Sequence, residues 1–181
     1  MYKRQVFPRL AAEGAVFGIA LPGYWLDVGT PESYLQAHRD VLERIFQTQV
    51  GDELGADFTF VDETADVHPG AKLVPPVYVG PGAVVEAGVR LGSLAVLGAG
   101  AHLAESCVVE NAVVGARTRV GPRASVSGSI VGDDAHVGAG CELHNLVVVG
   151  PGAEVGDRNV LDHGLRIGAG QRIPDDALRF S

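Results

Sequence analysis

Aromatic residues are scarce in this chain of 181 residues. Phe, Tyr and Trp make up only 6% of it, although 46% of its residues are hydrophobic. Because aromatic rings are the usual large fillers of a globular core, the interior has to be filled by Val, Leu, Ala and Gly. The composition therefore predicts a thin, repetitive core.

Positive charge is also in short supply. The chain has 14 Lys and Arg against 22 Asp and Glu, which gives a formal net charge of −8. Its only basic cluster is Arg117, Arg119 and Arg123. This balance argues against nucleic acid or an anionic membrane surface as a partner.

Cysteine pairs and long apolar runs are absent from the sequence. Cys107 and Cys141 are too few for a disulfide framework and do not have the spacing of a zinc site. The sequence has no run of about eighteen apolar residues that would span a membrane, and no apolar stretch typical of a signal peptide. We therefore expect a reduced, cytoplasmic protein.

A six-residue period occupies the last two thirds of the chain. From Val61 to Leu103 every sixth residue is Val or Leu, and the series continues to Ile173 after two steps of five that reach Val108 and Val131. Ala usually stands two residues before each aliphatic residue, and Gly often follows it, which suits a positive φ or a close backbone approach. Each hexapeptide predicts one short strand and one corner, and stacked hexapeptides predict a parallel β-helix.

The units Val-Gly-Pro-Gly-Ala-Val and Val-Gly-Ala-Gly-Cys-Glu-Leu resemble those of the hexapeptide-repeat proteins. This resemblance implies a left-handed β-helix with three strands per coil, a handedness that the period alone does not give, because ordinary parallel crossovers are right-handed. The expected fold is all-β dominant, with roughly six coils over residues 61–181. A small α/β remnant precedes them.

Histidines in the repeats are the candidates for chemistry. His102 and His136 fall in one column with Arg119 between them, roughly 9.6 Å apart, which is too far for a shared metal. A second group of polar residues lies one coil apart, with His144 expected to stack on Asp162 and Asn145 on His163. For this group a surface hydrogen-bond ladder is favoured over a site.

Both cysteines are expected to serve packing. Cys141 is expected to point inward as a small apolar group, whereas the direction of Cys107, which is near a five-residue step, stays open.

Residues 1–46 show a different pattern, that of an α/β segment. Residues 15–20 and 24–28 read as two short strands, and Thr30-Pro31-Glu32 predicts a helix start followed by a helix to about Phe46. Residues 47–60 are polar and are predicted to form a linker to the repeat domain.

The string Gly-Tyr-Trp-Leu-Asp-Val-Gly-Thr-Pro-Glu-Ser-Tyr-Leu at residues 23–35 resembles the C-terminal edge of the catalytic domain of sugar-nucleotide pyrophosphorylases. The resemblance covers residues 6–181 and is nearest to the mannose-1-phosphate guanylyltransferases within that nucleotidyltransferase family. It implies that a nucleoside triphosphate and a sugar 1-phosphate react to give a nucleotide sugar and pyrophosphate, with Mg²⁺ as the cofactor.

The same resemblance implies that Asp27 is a magnesium ligand. The family's Gly-rich nucleotide loop, second metal-binding aspartate and sugar-phosphate lysine do not occur in these residues, so no catalytic or cofactor-binding residue is assigned. Residues 1–5 do not fit the family pattern. We therefore expect a C-terminal piece of an enzyme that is inactive alone, with the β-helix serving homo-oligomerisation or regulation.

Two other functions remain open at this point. One is a hexapeptide-repeat acyltransferase that uses an acyl-CoA donor at the subunit interfaces of a trimer, although no long inserted loop of the usual kind is present. The other is a purely structural assembly module.

Overall fold

The computed structural model describes residues 2–179, so the predicted outer limits at residues 1 and 181 lie outside it. Three helices come first: α1 (Tyr2–Ala12), α2 (Pro31–Leu42) and α3 (Gln49–Glu53). They are followed by a parallel β-solenoid of about 6 turns. None of the helices in this range is long and apolar enough to cross a membrane.

Twenty strands of two or three residues form the solenoid within residues 2–179. They are β1 (Thr59–Val61), β2 (Asp66–Val67), β3 (Lys72–Leu73), β4 (Val77–Val79), β5 (Val84–Val85), β6 (Arg90–Leu91), β7 (Ala95–Leu97), β8 (His102–Leu103), β9 (Val108–Glu110), β10 (Val113–Val114), β11 (Arg119–Val120), β12 (Ser125–Ser127), β13 (Ile130–Val131), β14 (His136–Val137), β15 (Glu142–Leu143), β16 (Val148–Val149), β17 (Glu154–Val155), β18 (Val160–Leu161), β19 (Arg166–Ile167) and β20 (Arg172–Ile173).

Every third strand belongs to the same sheet, which confirms the predicted parallel β-helix. The first sheet has the order β1-β4-β7-β10-β13-β16-β19, the second β2-β5-β8-β11-β14-β17-β20, and the third β18-β15-β12-β9-β6-β3. All pairings are parallel and join residues one coil apart, as in Val79 with Leu97 and Val85 with Leu103.

The core is the narrow aliphatic interior that the composition predicts. From Val79 to Leu161 the inward positions are almost fully buried, and so is the residue two places before each of them, whereas most inward residues of the end coils are partly exposed. The hydrophobic cluster of the described residues consists of Val, Leu, Ile, Ala and Cys without an aromatic side chain. The chain has few aromatic residues because the interior of the solenoid is too narrow to hold their rings.

The position of one five-residue step was predicted wrongly. Val109 and not Val108 is fully buried, and it pairs with Leu91 and Val126 in the inward column. The short corner lies after β9, where Asn111 alone adopts a left-handed φ of 47°. The five-residue step therefore runs from Val109 to Val114. The second one, from Val126 to Val131, is where it was predicted, and both steps lead from the third sheet to the first.

Glycines that follow the inward aliphatic residue are explained by close approach of neighbouring coils. A Cβ built on Gly98 would lie 2.6 Å from the backbone nitrogen of Ala116 in the next coil. The positive φ falls instead two residues later, as at Gly100, whose φ is +65°. Of the two reasons that the sequence allowed for these glycines, the structure therefore supports the backbone approach.

Polar residues at inward positions are buried but hydrogen-bonded. Thr118 Oγ1 donates to the Gly132 carbonyl at 2.6 Å, and Asn159 Nδ2 donates to the Pro174 carbonyl at 2.8 Å. Each acceptor is a corner carbonyl of the following coil. Cys107 and Cys141 are both buried free thiols, as predicted for Cys141. Desolvation raises the pKa of Cys107 to about 12, which leaves it unreactive.

The two strands predicted before α2 do not form. Residues 15–20 and 24–28 have no strand pairing, because an extended segment becomes a strand only when a neighbouring strand satisfies its backbone groups. Helix α2 ends at Leu42 and not near Phe46, since Arg44 adopts a φ of 55° and closes the last turn. The predicted linker includes α3, and β1 already begins at Thr59.

Candidate functional site

One outer face of the solenoid carries an apolar column that the sequence reasoning missed. The residue before each inward aliphatic of the first sheet is apolar in six successive coils, in the order Phe60, Tyr78, Val96, Val113, Ile130 and Val148. The equivalent positions of the second sheet are mostly charged or His. The sequence does contain a signal for this column, because an apolar residue recurs at this position once in every three hexapeptides.

Helix α2 lies against this apolar face. It begins as the sequence predicts, with Thr30 as the N-cap: the Thr30 side chain accepts from the backbone N–H of Ser33, and Pro31 occupies the first turn. Leu35 and Leu42 of the helix are 3% and 1% exposed. The amphipathic helix thus covers an apolar surface that would otherwise be open to water.

Two features join the helix to the solenoid. Val41 and Leu42 share a cavity of about 350 Å³ with Tyr78 and Val96 of the first sheet. In addition, Arg39 Nε donates to Asn111 Oδ1 at 2.7 Å. This bond reaches the first short corner, so the helix is tied to the place where the repeat loses one residue.

The segment before α2 runs back along the helix. The Tyr24 ring stacks on Phe46 with centroids 4.1 Å apart, and its hydroxyl donates to the carboxylate of Asp40. Gln36 Nε2 also donates to Asp40, at 2.7 Å. Because Tyr24 is fixed near the end of α2 and Thr30 caps its beginning, residues 24–30 extend antiparallel to the helix.

Tyr24 gives this arrangement a pH signature. Its hydrogen bond to the Asp40 carboxylate, with desolvation and the negative charge of Asp40, raises the pKa of Tyr24 from 10.0 to about 12. The folded protein therefore holds the phenol proton to higher pH than the unfolded chain does. The stabilisation is complete below about pH 10 and is lost as the pH rises to about 12.

We expect Tyr24→Phe to be less stable than the wild type at neutral pH and to lose less stability between about pH 10 and 12. Urea unfolding at a series of pH values checks this. The pKa values of Tyr34 and Tyr78 are also raised, by burial, and both tyrosines remain in the variant as internal references. An alkaline loss equal to that of the wild type would contradict the assigned bond.

Asp27 lies in the middle of this segment and is exposed. The ideal Cβ position of Gly29 lies 3.9 Å from Asp27 Oδ1, so the carboxylate turns toward the backbone just before the helix cap. Within residues 2–179 no three His, Cys, Asp or Glu side chains come together as a metal site. Mg²⁺ takes one or two protein carboxylates with substrate phosphates and waters, so Asp27 fits as one ligand but does not form a magnesium site by itself.

The predicted column of His102, Arg119 and His136 is present. Arg119 pairs in register with both histidines, and His102 Nε2 lies 2.6 Å from Glu86 Oε1. That hydrogen bond is the main cause of the lowered pKa of Glu86.

The second polar group forms a surface ladder. Asn145 Nδ2 donates to Asp162 Oδ1 at 2.8 Å, whereas His144 Nε2 lies 3.3 Å from Glu142 Oε2. His163 Nδ1 lies 3.6 Å from Asp162 Oδ2. Asn145 therefore bonds to the Asp162 side chain, where the sequence suggested that His144 would stack on it.

The coils, sheets and hexapeptides together define a β-solenoid of the hexapeptide-repeat type. Solved structures agree. A hexapeptide transferase family protein from Anaplasma phagocytophilum matches with a TM-score of 0.60 at 22% identity, over 63% of this chain and 72% of that one. WeeI from Acinetobacter baumannii AYE matches with a TM-score of 0.59 at 17% identity, over 99% and 94%. At these identities the likeness concerns the fold.

The chain belongs to the family described as the GMPPB C-terminal domain, whose model matches residues 56–149 and 91–166. A probable mannose-1-phosphate guanylyltransferase 3 from Oryza sativa subsp. japonica is 34% identical over 161 residues, 86% of this chain and 39% of that protein. A probable mannose-1-phosphate guanylyltransferase 3 from Arabidopsis thaliana is 34% identical over 91% of this chain and 46% of its own length. The chain therefore spans two fifths to one half of these relatives, and the predicted resemblance is confirmed.

Proposed function

We propose that this chain is the C-terminal part of a sugar-1-phosphate nucleotidyltransferase of the mannose-1-phosphate guanylyltransferase type. Such an enzyme joins a nucleoside triphosphate to a sugar 1-phosphate and releases pyrophosphate. The family match of the solenoid supports the proposal, together with the Trp25–Thr30 segment held along α2. In it, residues 1–46 are the end of the nucleotidyltransferase domain, 47–60 the connection, and 61–181 the β-helix.

Asp27 is proposed as one protein ligand of Mg²⁺ in the complete enzyme. With Asp27 as one of its ligands, a bound Mg²⁺ would supply positive charge that offsets the negative charge of the phosphates during phosphoryl transfer. This chain's own contribution is positional: Tyr24 and Thr30 fix the two ends of the segment, and Asp40 holds Tyr24. The apolar face under α2 then sets where the segment stands relative to the solenoid.

We further propose a cytoplasmic homo-oligomer in which the solenoid supplies contact surface. Support comes from the two ends of the solenoid. Within residues 2–179 the terminal strands of each sheet, such as β1 and β19 of the first, pair with a neighbour on one side only, and unpaired strand edges favour association.

The test is pyrophosphate release from GTP and mannose 1-phosphate by the protein expressed from its complete coding region. Asp27→Asn should lower kcat by roughly a hundredfold if the carboxylate is a metal ligand, which is within the several kcal/mol that such ions contribute. Asp66→Asn, on an exposed strand of the solenoid, is the matched control and should keep wild-type activity. Wild-type activity in Asp27→Asn, or no nucleotide sugar from the wild type, would overturn the proposal.

An acyltransferase function has one observation in its favour. Glu86 orients His102 and also accepts from the Glu105 backbone N–H at 3.0 Å, an arrangement that suits a general base. Stabilisation of the 181-residue chain by acetyl-CoA in a thermal shift assay would support it. The family match favours the nucleotidyltransferase.

A further inference from the structure

The outer column of the second sheet is charged and unevenly paired. From β2 to β20 it reads Asp66, Val84, His102, Arg119, His136, Glu154 and Arg172. Three successive coils in the middle thus present basic side chains, in a chain whose formal net charge is −8.

Ion pairs lie on either side of Arg119 and His136 in this column. His102 Nε2 lies 2.6 Å from Glu86, and Arg172 Nη2 lies 2.9 Å from Glu154. Between them, Arg119 and His136 make no side-chain hydrogen bond or ion pair with the described residues. Their Cα atoms are roughly 4.8 Å apart, the spacing of paired strands.

A groove of about 710 Å³ opens over these two residues. Its other charged side chains are already compensated: Arg117 donates two hydrogen bonds to Asp134, at 2.6 and 2.7 Å, and Glu154 bonds to Arg172. The guanidinium of Arg119 is therefore the uncompensated charge of the groove. An imidazole that can donate stands directly beside it.

We propose that Arg119 and His136 bind the phosphate group of a small phosphorylated molecule. A guanidinium donates two parallel hydrogen bonds to a phosphate, and the imidazole one coil away adds a donor to another oxygen of the same group. The volume of the groove leaves room for the rest of a small ligand beyond the phosphate. This site lies on the second sheet, whereas the Asp27 segment runs along α2, which covers the first sheet. The inference therefore does not depend on the proposed function.

Phosphate binding can be measured on the 181-residue chain by NMR of the His136 ring and the Arg119 Nε–H group. Inorganic phosphate and a hexose monophosphate are titrated separately, with NaCl holding ionic strength constant. We expect saturable shifts with a Kd in the millimolar range. Arg119→Gln and His136→Gln should each weaken binding at least tenfold, and Arg119→Lys should lose less because it keeps the charge but not the planar pair of donors.

The matched control is Arg123→Gln, which removes the same charge from an exposed corner of the same solenoid. Stronger binding of the monoester would identify a phosphorylated metabolite as the ligand, and equal binding would identify the phosphate group itself, so both support the site. Shifts that do not saturate, or equal weakening by Arg123→Gln, would show diffuse attraction and overturn it. The three substituted side chains are exposed, and circular dichroism verifies that all four variants fold.

Discussion

Gly98→Ala is expected to lower the free energy of unfolding by about 3 kcal/mol, the upper part of the range for overpacking. Its new Cβ would lie 2.6 Å from Ala116 N and 2.7 Å from the carbonyl carbon of Gly115. Both are backbone atoms of the next coil and cannot move aside as a flexible side chain would. The two coils would have to separate, which weakens the hydrogen bond from Gly98 N–H to the Val114 carbonyl, now 2.8 Å.

Gly82→Ala is the matched control for the same glycine-to-alanine change. Gly82 has a φ of +62° and nothing within 4 Å of its ideal Cβ position, so the substitution meets backbone strain without a clash. Its expected cost is about 1 kcal/mol. Urea denaturation of both variants measures the difference in the free energy of unfolding. Equal losses would show that the close approach of the coils at Gly98 costs no more than the strained φ at Gly82.

Val109→Asp is expected to cost more than 4 kcal/mol and to prevent folding near physiological temperature. Val109 is fully buried in the inward column between Leu91 and Val126, where a carboxylate finds no counter-charge. The neighbouring Val108 is only half-buried and lies on the outer face of β9.

Val108→Asp should therefore fold and lose less than about 1 kcal/mol. Expression in soluble form, circular dichroism and urea unfolding distinguish the two variants. The reverse ranking would restore the predicted five-residue step from Leu103 to Val108 and would move the short corner from after β9 to before it.

Most of the solenoid was accessible from the sequence because its physics is local and repeated. A hexapeptide such as Val79–Val84 specifies one strand and one corner, and each coil contains three hexapeptides of the same pattern. The error at Val108 arose where that repetition fails: both Val108 and Val109 are aliphatic, so the pattern fits either residue. Only the pairing with Leu91 distinguishes them.

The segment around Asp27 was less accessible, for a different reason. Strands at 15–20 and 24–28 have the right composition, yet strand formation needs a partner that no short-range pattern specifies. The Tyr24–Asp40 bond joins residues sixteen positions apart, and the Arg39–Asn111 bond joins residues seventy-two apart. Thr30 as the helix cap was predictable because its bonds lie within one turn.

The outer apolar column also bears on how such a molecule can change in length. Each coil carries its own inward residues, its own corners and its own share of the surface beneath α2. A whole coil can therefore be gained or lost while every remaining side chain keeps its orientation. Within the described residues the repeat is shorter by one residue in two places, and both lie at the edge between the third sheet and the first. The whole coil is thus the unit by which this protein can lengthen or shorten without turning its inward side chains outward.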